Sequence, residues 1–186
     1  MAEVWQWLEE RGAHRDVVTW ARPFGERWEE AWNTCPRGDW LLGIAARAGI
    51  ERKLIVSAAC ACARFAFDYL PESETRPGAA VDAVERWLDG ADEPELREAM
   101  QTSAEAAIDD APDPSVAAAA MAGLACLRAI DTPEEAALVV TSAVQAALLD
   151  VGDCAMMSAV GYAQSTCADL TRERISFANV KDFLHN

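Results

Sequence analysis

An all-α fold is what this sequence predicts, on three observations. Alanine, the residue with the highest helix propensity, is abundant in an apolar fraction of 52%, while Val, Ile and Thr are few outside 138–144 and 54–57. No segment alternates apolar and polar residues for long enough to argue a strand. Pro, Gly and Asp recur at helix-length intervals and leave only short turns between them. The 186 residues are therefore expected to form a single domain. Its architecture is expected to be an antiparallel helical array or superhelix-like bundle of about eight or nine helices.

The first helix runs from Glu3, breaks near Gly12 and continues to Ala21. It is followed by Gly25–Thr34 and Pro36–Ala48. Six of the seven tryptophans fall in the first forty residues. Trp28 and Trp32 are four apart, share a helix face and are read as core-finishing residues, with an interface role as the alternative. The next element is Glu51–Leu70, and its segment Lys53–Leu70 is the expected centre of the core. Leu54, Ile55, Val56, Ala58, Ala59, Cys60, Cys62, Ala63, Phe65, Ala66 and Phe67 leave a polar stripe of only Lys53, Ser57, Arg64 and Asp68. A helix apolar nearly all round is enclosed by other helices. Arg64 and Asp68 are spaced to pair along it, and Cys60 and Cys62 point in different directions.

Arg76–Leu88, Pro94–Asp110, Pro114–Ile130, Pro133–Asp150 and Asp153–Phe177 complete the helices, and a turn leads to Asn186. Thr132-Pro133-Glu134-Glu135 reads as a capping box: threonine at the N-cap, proline at the first helical position, glutamate three residues past the cap. Asp113-Pro114 repeats the cap-then-proline arrangement, and Glu93-Pro94 does so with a poorer cap. Short turns impose antiparallel neighbours, so alternate turns share an edge. The turns near 89–95 and 131–135 fall on one edge; those near 71–75, 109–113 and 150–153 fall on the other.

Charge carries the functional information. Between Asp68 and Asp153 there are nineteen acidic side chains against four arginines, a balance of −15 that equals the net charge of the whole chain. A concentrated acidic field attracts basic partners, speeds encounter with them and repels nucleic acid and anionic membranes. A basic protein is the expected partner, with no direct nucleic-acid binding and no membrane. Carboxylates near helix N-termini have a capping role, but Asp89, Asp109, Asp110 and Asp150 lie at C-terminal ends, where negative charge is unfavourable. The candidate partner-binding residues are Asp89, Asp92, Glu93, Glu95, Asp131, Glu134 and Glu135 on the first edge. On the second they are Asp109, Asp110, Asp113, Asp150 and Asp153.

Catalytic chemistry has little support. The two histidines, His14 and His185, stand near opposite ends, Gly-rich phosphate loops are absent, and no cysteine pair has redox or zinc spacing. The six cysteines read as free thiols, Cys60, Cys62, Cys126, Cys154 and Cys167 within apolar helical stretches. Asp109, Asp110 and Asp113 match the aspartate-rich pattern of helical magnesium-diphosphate enzymes, yet Pro112 breaks the helix that would align them. No catalytic residue, cofactor or metal is assigned. The N-terminus has no basic stretch before an apolar run, and the longest apolar stretch, Val116–Leu127, is too short to span a bilayer. A soluble, cytoplasmic chain is expected.

One series of residues is distinctive. It comprises Ala31-Trp32-Asn33-Thr34-Cys35-Pro36-Arg37-Gly38-Asp39-Trp40-Leu41-Leu42, then Arg52 to Arg64 with Cys60 and Cys62, then Glu74-Thr75-Arg76-Pro77 and Ala83-Val84-Glu85-Arg86-Trp87. This series resembles the immunity-protein family encoded beside polymorphic toxins in myxobacteria, actinobacteria and related organisms, over about residues 28–90. The resemblance implies an all-helical, non-enzymatic protein that neutralises a cognate toxin, with these residues as scaffold and toxin specificity elsewhere. Toxins that cut nucleic acid are usually basic because their substrate is anionic. A nuclease toxin is therefore the expectation, occluded at its active or substrate-binding surface. A helical-repeat adaptor or scaffold is the alternative reading, and a magnesium-dependent helical enzyme a third.

Overall fold

The computed structural model describes residues 3–91, 93–151 and 155–184, and the regular structure in them is helical throughout. The α-helices are α1 (Val4–Glu10), α2 (Arg15–Ala21), α3 (Trp28–Thr34), α4 (Gly38–Ala48), α5 (Arg52–Ala66), α6 (Arg76–Leu88), α7 (Pro94–Asp109), α8 (Pro114–Arg128), α9 (Ala136–Asp150), α10 (Met156–Arg174) and α11 (Phe177–Val180). Short 3-10 turns lie at Arg22–Phe24, Phe67–Tyr69, Pro133–Glu135 and Lys181–Phe183. Eleven α-helices among the described residues exceed the number expected. The first helix is two, parted at Gly12 with φ 66°, and α11 is separate from α10.

The α5 helix is the centre of the fold, packing against α4, α6, α8, α9 and α10. Ile55, Val56, Ala58, Ala59, Cys60, Cys62, Ala63 and Ala66 are buried, while Lys53, Arg64 and Asp68 are exposed. The two cysteines diverge as their spacing requires. The Cys60 Sγ lies 3.4 Å from the Cys126 Sγ on α8, and the Cys62 thiol donates to the Cys167 carbonyl on α10 at 3.7 Å. Both sulfur separations are far outside a covalent bond, and Cys35, Cys60, Cys62, Cys126 and Cys167 are free and buried. Cys154 lies outside the described residues.

Around α5 the contacts are built from small side chains. The α8 helix buries Ala118, Ala119, Ala120, Ala122 and Ala125 and the adjoining α9 helix buries Ala136, Ala143, Ala146 and Ala147, small side chains that let neighbouring helices approach closely. Helices α4 and α10 approach closely at Gly38, where an added Cβ would sit 2.8 Å from the Cys167 carbonyl carbon. Tryptophans close the N-terminal segment. Trp7 meets Trp28 edge-on at 5.3 Å, and Trp20 stacks obliquely on Phe24 and Trp40. The Trp32 Nε1–H donates to the Ile175 carbonyl at 3.2 Å, and Arg172 donates to the Cys35 carbonyl at 2.7 Å. Trp7, Trp28 and Trp32 are buried core residues, as their spacing indicates. One cluster of buried residues extends from Val4 to Leu184.

Several local expectations are corrected. Thr132 does not head a capping box: Pro133–Glu135 wind as a 3-10 turn and the Glu135 N–H donates to the Thr132 carbonyl at 2.9 Å, so the donor that the hydroxyl needed is already used. The α9 helix accordingly starts three residues later, at Ala136. Glu93 makes no side-chain cap, whereas Asp113 does, accepting from the Val116 N–H at 3.0 Å. Arg64 does not pair with Asp68, because α5 ends at Ala66 and carries Asp68 into a 3-10 turn. It reaches instead to Asp82 and to Glu85, 2.7 Å away on α6. The starts placed at Gly25 and Pro36 fall at Trp28 and Gly38.

Candidate functional site

Ion pairs join the acidic turns in two sets. Arg97, in the second turn of α7, reaches Asp131 beyond α8 at 3.4 Å, joining the 89–95 and 131–135 turns. Arg76 binds Glu74 beside it and Asp110 at 2.8 Å, joining the 71–75 and 109–113 turns. The hydrogen bond from Arg76 holds the Glu74 carboxyl below the ordinary carboxylate range. The Ser115 hydroxyl donates to the Ala146 carbonyl at 2.9 Å and draws the end of α9 to this second edge. Asp92 and Asp153 lie outside the described residues, as does His185.

All four arginines of the acidic middle are engaged in ion pairs: Arg76 as above, Arg86 with Glu93, Arg97 with Asp131, and Arg128 with Glu105 at 3.2 Å. Among the described residues, Asp89, Glu95, Asp109, Glu134 and Asp150 are exposed and make no ion pair. These five contribute to the negative field of the acidic turns, together with the exposed and unpaired Glu72 in the 71–75 turn and Asp68 beside it, while Asp113 accepts the cap hydrogen bond of α8.

Asp109, Asp110 and Asp113 do not converge. Asp110 serves Arg76, Asp113 caps α8, and Asp109 ends α7 facing solvent. No group of three His, Cys, Asp or Glu side chains among the described residues is arranged to hold a metal.

Two features were not among the residues singled out from the sequence. The first is a groove of about 560 Å³ between α7 and α8, lined by Arg97, Glu98, Gln101, Arg128, Asp131 and Glu135 among others. Glu135, a candidate on the first edge, has its Oε2 buried without a hydrogen-bond partner there. The second is an aromatic patch beside the second edge. Phe65 packs edge-on against Tyr69 at 6.3 Å and against Tyr162 of α10 at 5.9 Å. The Tyr69 hydroxyl is pushed above its ordinary value by burial and by the nearby carboxylates of Asp150 and Asp68. The signal for this patch was available: residues 136–149 and 155–168 contain no charged side chain.

No family model, curated protein or solved structure matches this chain. No helix among the described residues is long and apolar enough to cross a membrane.

Proposed function

We propose that this chain is an immunity protein: it binds a cognate basic toxin, a nuclease by preference, and neutralises it by covering the active or substrate-binding surface. The observation that carries the reading is the state of the acidic edges. The arginines of the middle segment are spent in ion pairs, and Asp89, Glu95, Asp109, Glu134 and Asp150 remain as exposed carboxylates. Glu95, Asp109 and Asp150 stand on helices, with Asp89 just past the end of α6 and Glu134 in the turn before α9, a backbone that presents carboxylates to a surface that ordinarily receives phosphates. Steering by such a field favours rapid capture, which a protein guarding its own cell from a nuclease requires.

The test is co-expression with the toxin encoded by the adjacent reading frame in a bacterial host. Restored growth and a complex that co-purifies are expected. Association should slow steeply as salt rises towards physiological strength, where the Debye length is about 8 Å. Persistent toxicity with no complex would overturn the reading. Co-purification without protection would point instead to the adaptor alternative.

A further inference from the structure

The exposed apolar side chains of the described residues concentrate on the last two long helices. Met157 is 86% exposed and Tyr162 63%, both on α10, and Leu149, at the end of α9, is 44% exposed. Singly exposed apolar side chains are ordinary, but here the exposed residues around them, Thr141 and Gln145 on α9 and Ser158, Gly161 and Ser165 on α10, are uncharged too. Here the two helices carry no charge over 136–149 and 155–168, in a chain of which 25% is charged. Charge depletion at the centre with Tyr and Met present is the composition of an interface core.

Gly161 adds an independent observation. It lies inside α10, where glycine is unfavourable by about 1 kcal/mol relative to alanine. A Cβ there would meet nothing within 4 Å, and its φ is not positive, so neither packing within the chain nor backbone strain explains it. A bare backbone on an exposed helix face fits close approach by another molecule.

The surroundings state the chemistry of that molecule. Tyr162 continues through Phe65 to Tyr69, and Asp68 and Asp150 stand beside Tyr69. Aromatic faces bordered by carboxylates suit guanidinium and ammonium groups, which are held by the ring quadrupole and the charges together. We infer that the α9–α10 face around Tyr162 and Gly161 is where a basic protein docks, with an apolar centre against Tyr162 and Met157 and its arginine or lysine rim against Asp68 and Asp150. This inference rests on the partner being basic, as proposed above. It selects the second acidic edge over the first, since the exposed Leu149 adjoins Asp150 at the end of α9 opposite to Glu134 and Glu135.

The experiment uses the full chain and a fluorescein-labelled peptide carrying paired leucines flanked by arginines, with its glutamate counterpart as control, read by anisotropy at low salt. Tyr162→Ser combined with Met157→Ser leaves the net charge unchanged and removes mainly exposed surface, so the variant should fold, with its melting curve lowered only by the loss of the Tyr162–Phe65 ring contact. The affinity of that variant for the arginine peptide should fall more than about fivefold, the scale of an interface anchor. Asp68→Asn with Asp150→Asn should weaken binding more than Asp89→Asn with Glu134→Gln, although both pairs remove the same charge. An affinity within that fivefold limit, equal effects of the two carboxylate pairs, or no binding to the wild type would overturn the inference. Peptide binding lost in the serine variant but without toxin rescue would leave this surface standing and remove only the immunity reading. Rescue with unaltered peptide binding in the variant would do the reverse.

Discussion

Gly38→Ala tests the α4–α10 seam, and its effect can be worked from the geometry. The added Cβ would lie 2.8, 2.9 and 2.9 Å from the carbonyl carbon, Cβ and carbonyl oxygen of Cys167. Carbon pairs are most favourable at about 3.5–4.0 Å, so all three contacts are too short by more than half an ångström. Two of the three atoms are backbone within α10, and no side-chain rotation relieves them. The helices must separate, which loosens the packing of the fully buried Leu41 and Leu42 beside the contact. Overpacking of this kind costs about 1–3 kcal/mol, and a backbone clash belongs at the upper end, about 2–3 kcal/mol. For a chain of this length that is a loss of about 4–12 °C in melting temperature. Gly161→Ala is the internal control, since its Cβ enters open space and should stabilise the helix by about 1 kcal/mol. Urea unfolding followed by circular dichroism measures both, with an unchanged slope showing that the unfolded state is not involved. A Gly38→Ala variant as stable as the wild type would refute the argument.

Ala59→Asp should leave the chain unfolded by circular dichroism at neutral pH, because Ala59 is fully buried on α5 and the new carboxylate would have no partner. Asp113→Ala should lower stability by about 1 kcal/mol through the lost cap of α8. Thr132→Ala should be close to neutral, since its hydroxyl caps nothing, and a penalty equal to that of Asp113→Ala in chemical unfolding would contradict this. Burial pushes the Cys35 thiol from 9.0 up to about 11. The folded state then holds a proton that the unfolded chain releases, so this contribution is complete below about pH 9 and is lost towards pH 11, at about 1.4 kcal/mol per pH unit. Guanidinium unfolding across that window should show a shallower decline for Cys35→Ala than for the wild type, and parallel declines would discount the thiol.

The fold class, the enclosed α5 and the core tryptophans were legible because they depend on helix propensity and on apolar periodicity, both local properties. Asp113 succeeded as a cap where Thr132 failed for a reason the sequence did not contain. Both precede proline, but only the structure shows that the Glu135 N–H had turned to the Thr132 carbonyl. Ser176 and Asn179 form a capping box that was not anticipated, with the Ser176 N–H donating to the Asn179 Oδ1 at 2.9 Å. Arg64 illustrates a second limit: spacing offered Asp68, while tertiary packing offered Asp82 and Glu85 on a neighbouring helix. The sharing of edges by alternate turns followed from short connections, and the Arg76–Asp110 and Arg97–Asp131 pairs agree with it. The ring contact of Phe65 with Tyr162 was not readable, since it joins segments nearly a hundred residues apart.

The closure of the tryptophan-rich segment by α10 has a consequence for synthesis. Trp32 waits for Ile175, 143 residues downstream, and the Cys35 carbonyl for Arg172, 137 residues downstream. Ribosomes add about 5–20 residues per second, so the segment emerges roughly 7–30 s before its counterpart is made. Nascent chains would carry exposed tryptophan surface through that interval, within reach of holding chaperones. A product cut short before α10 would have no seam to close and would keep that tryptophan surface exposed, so the fold is completed only once the last long helix has been made.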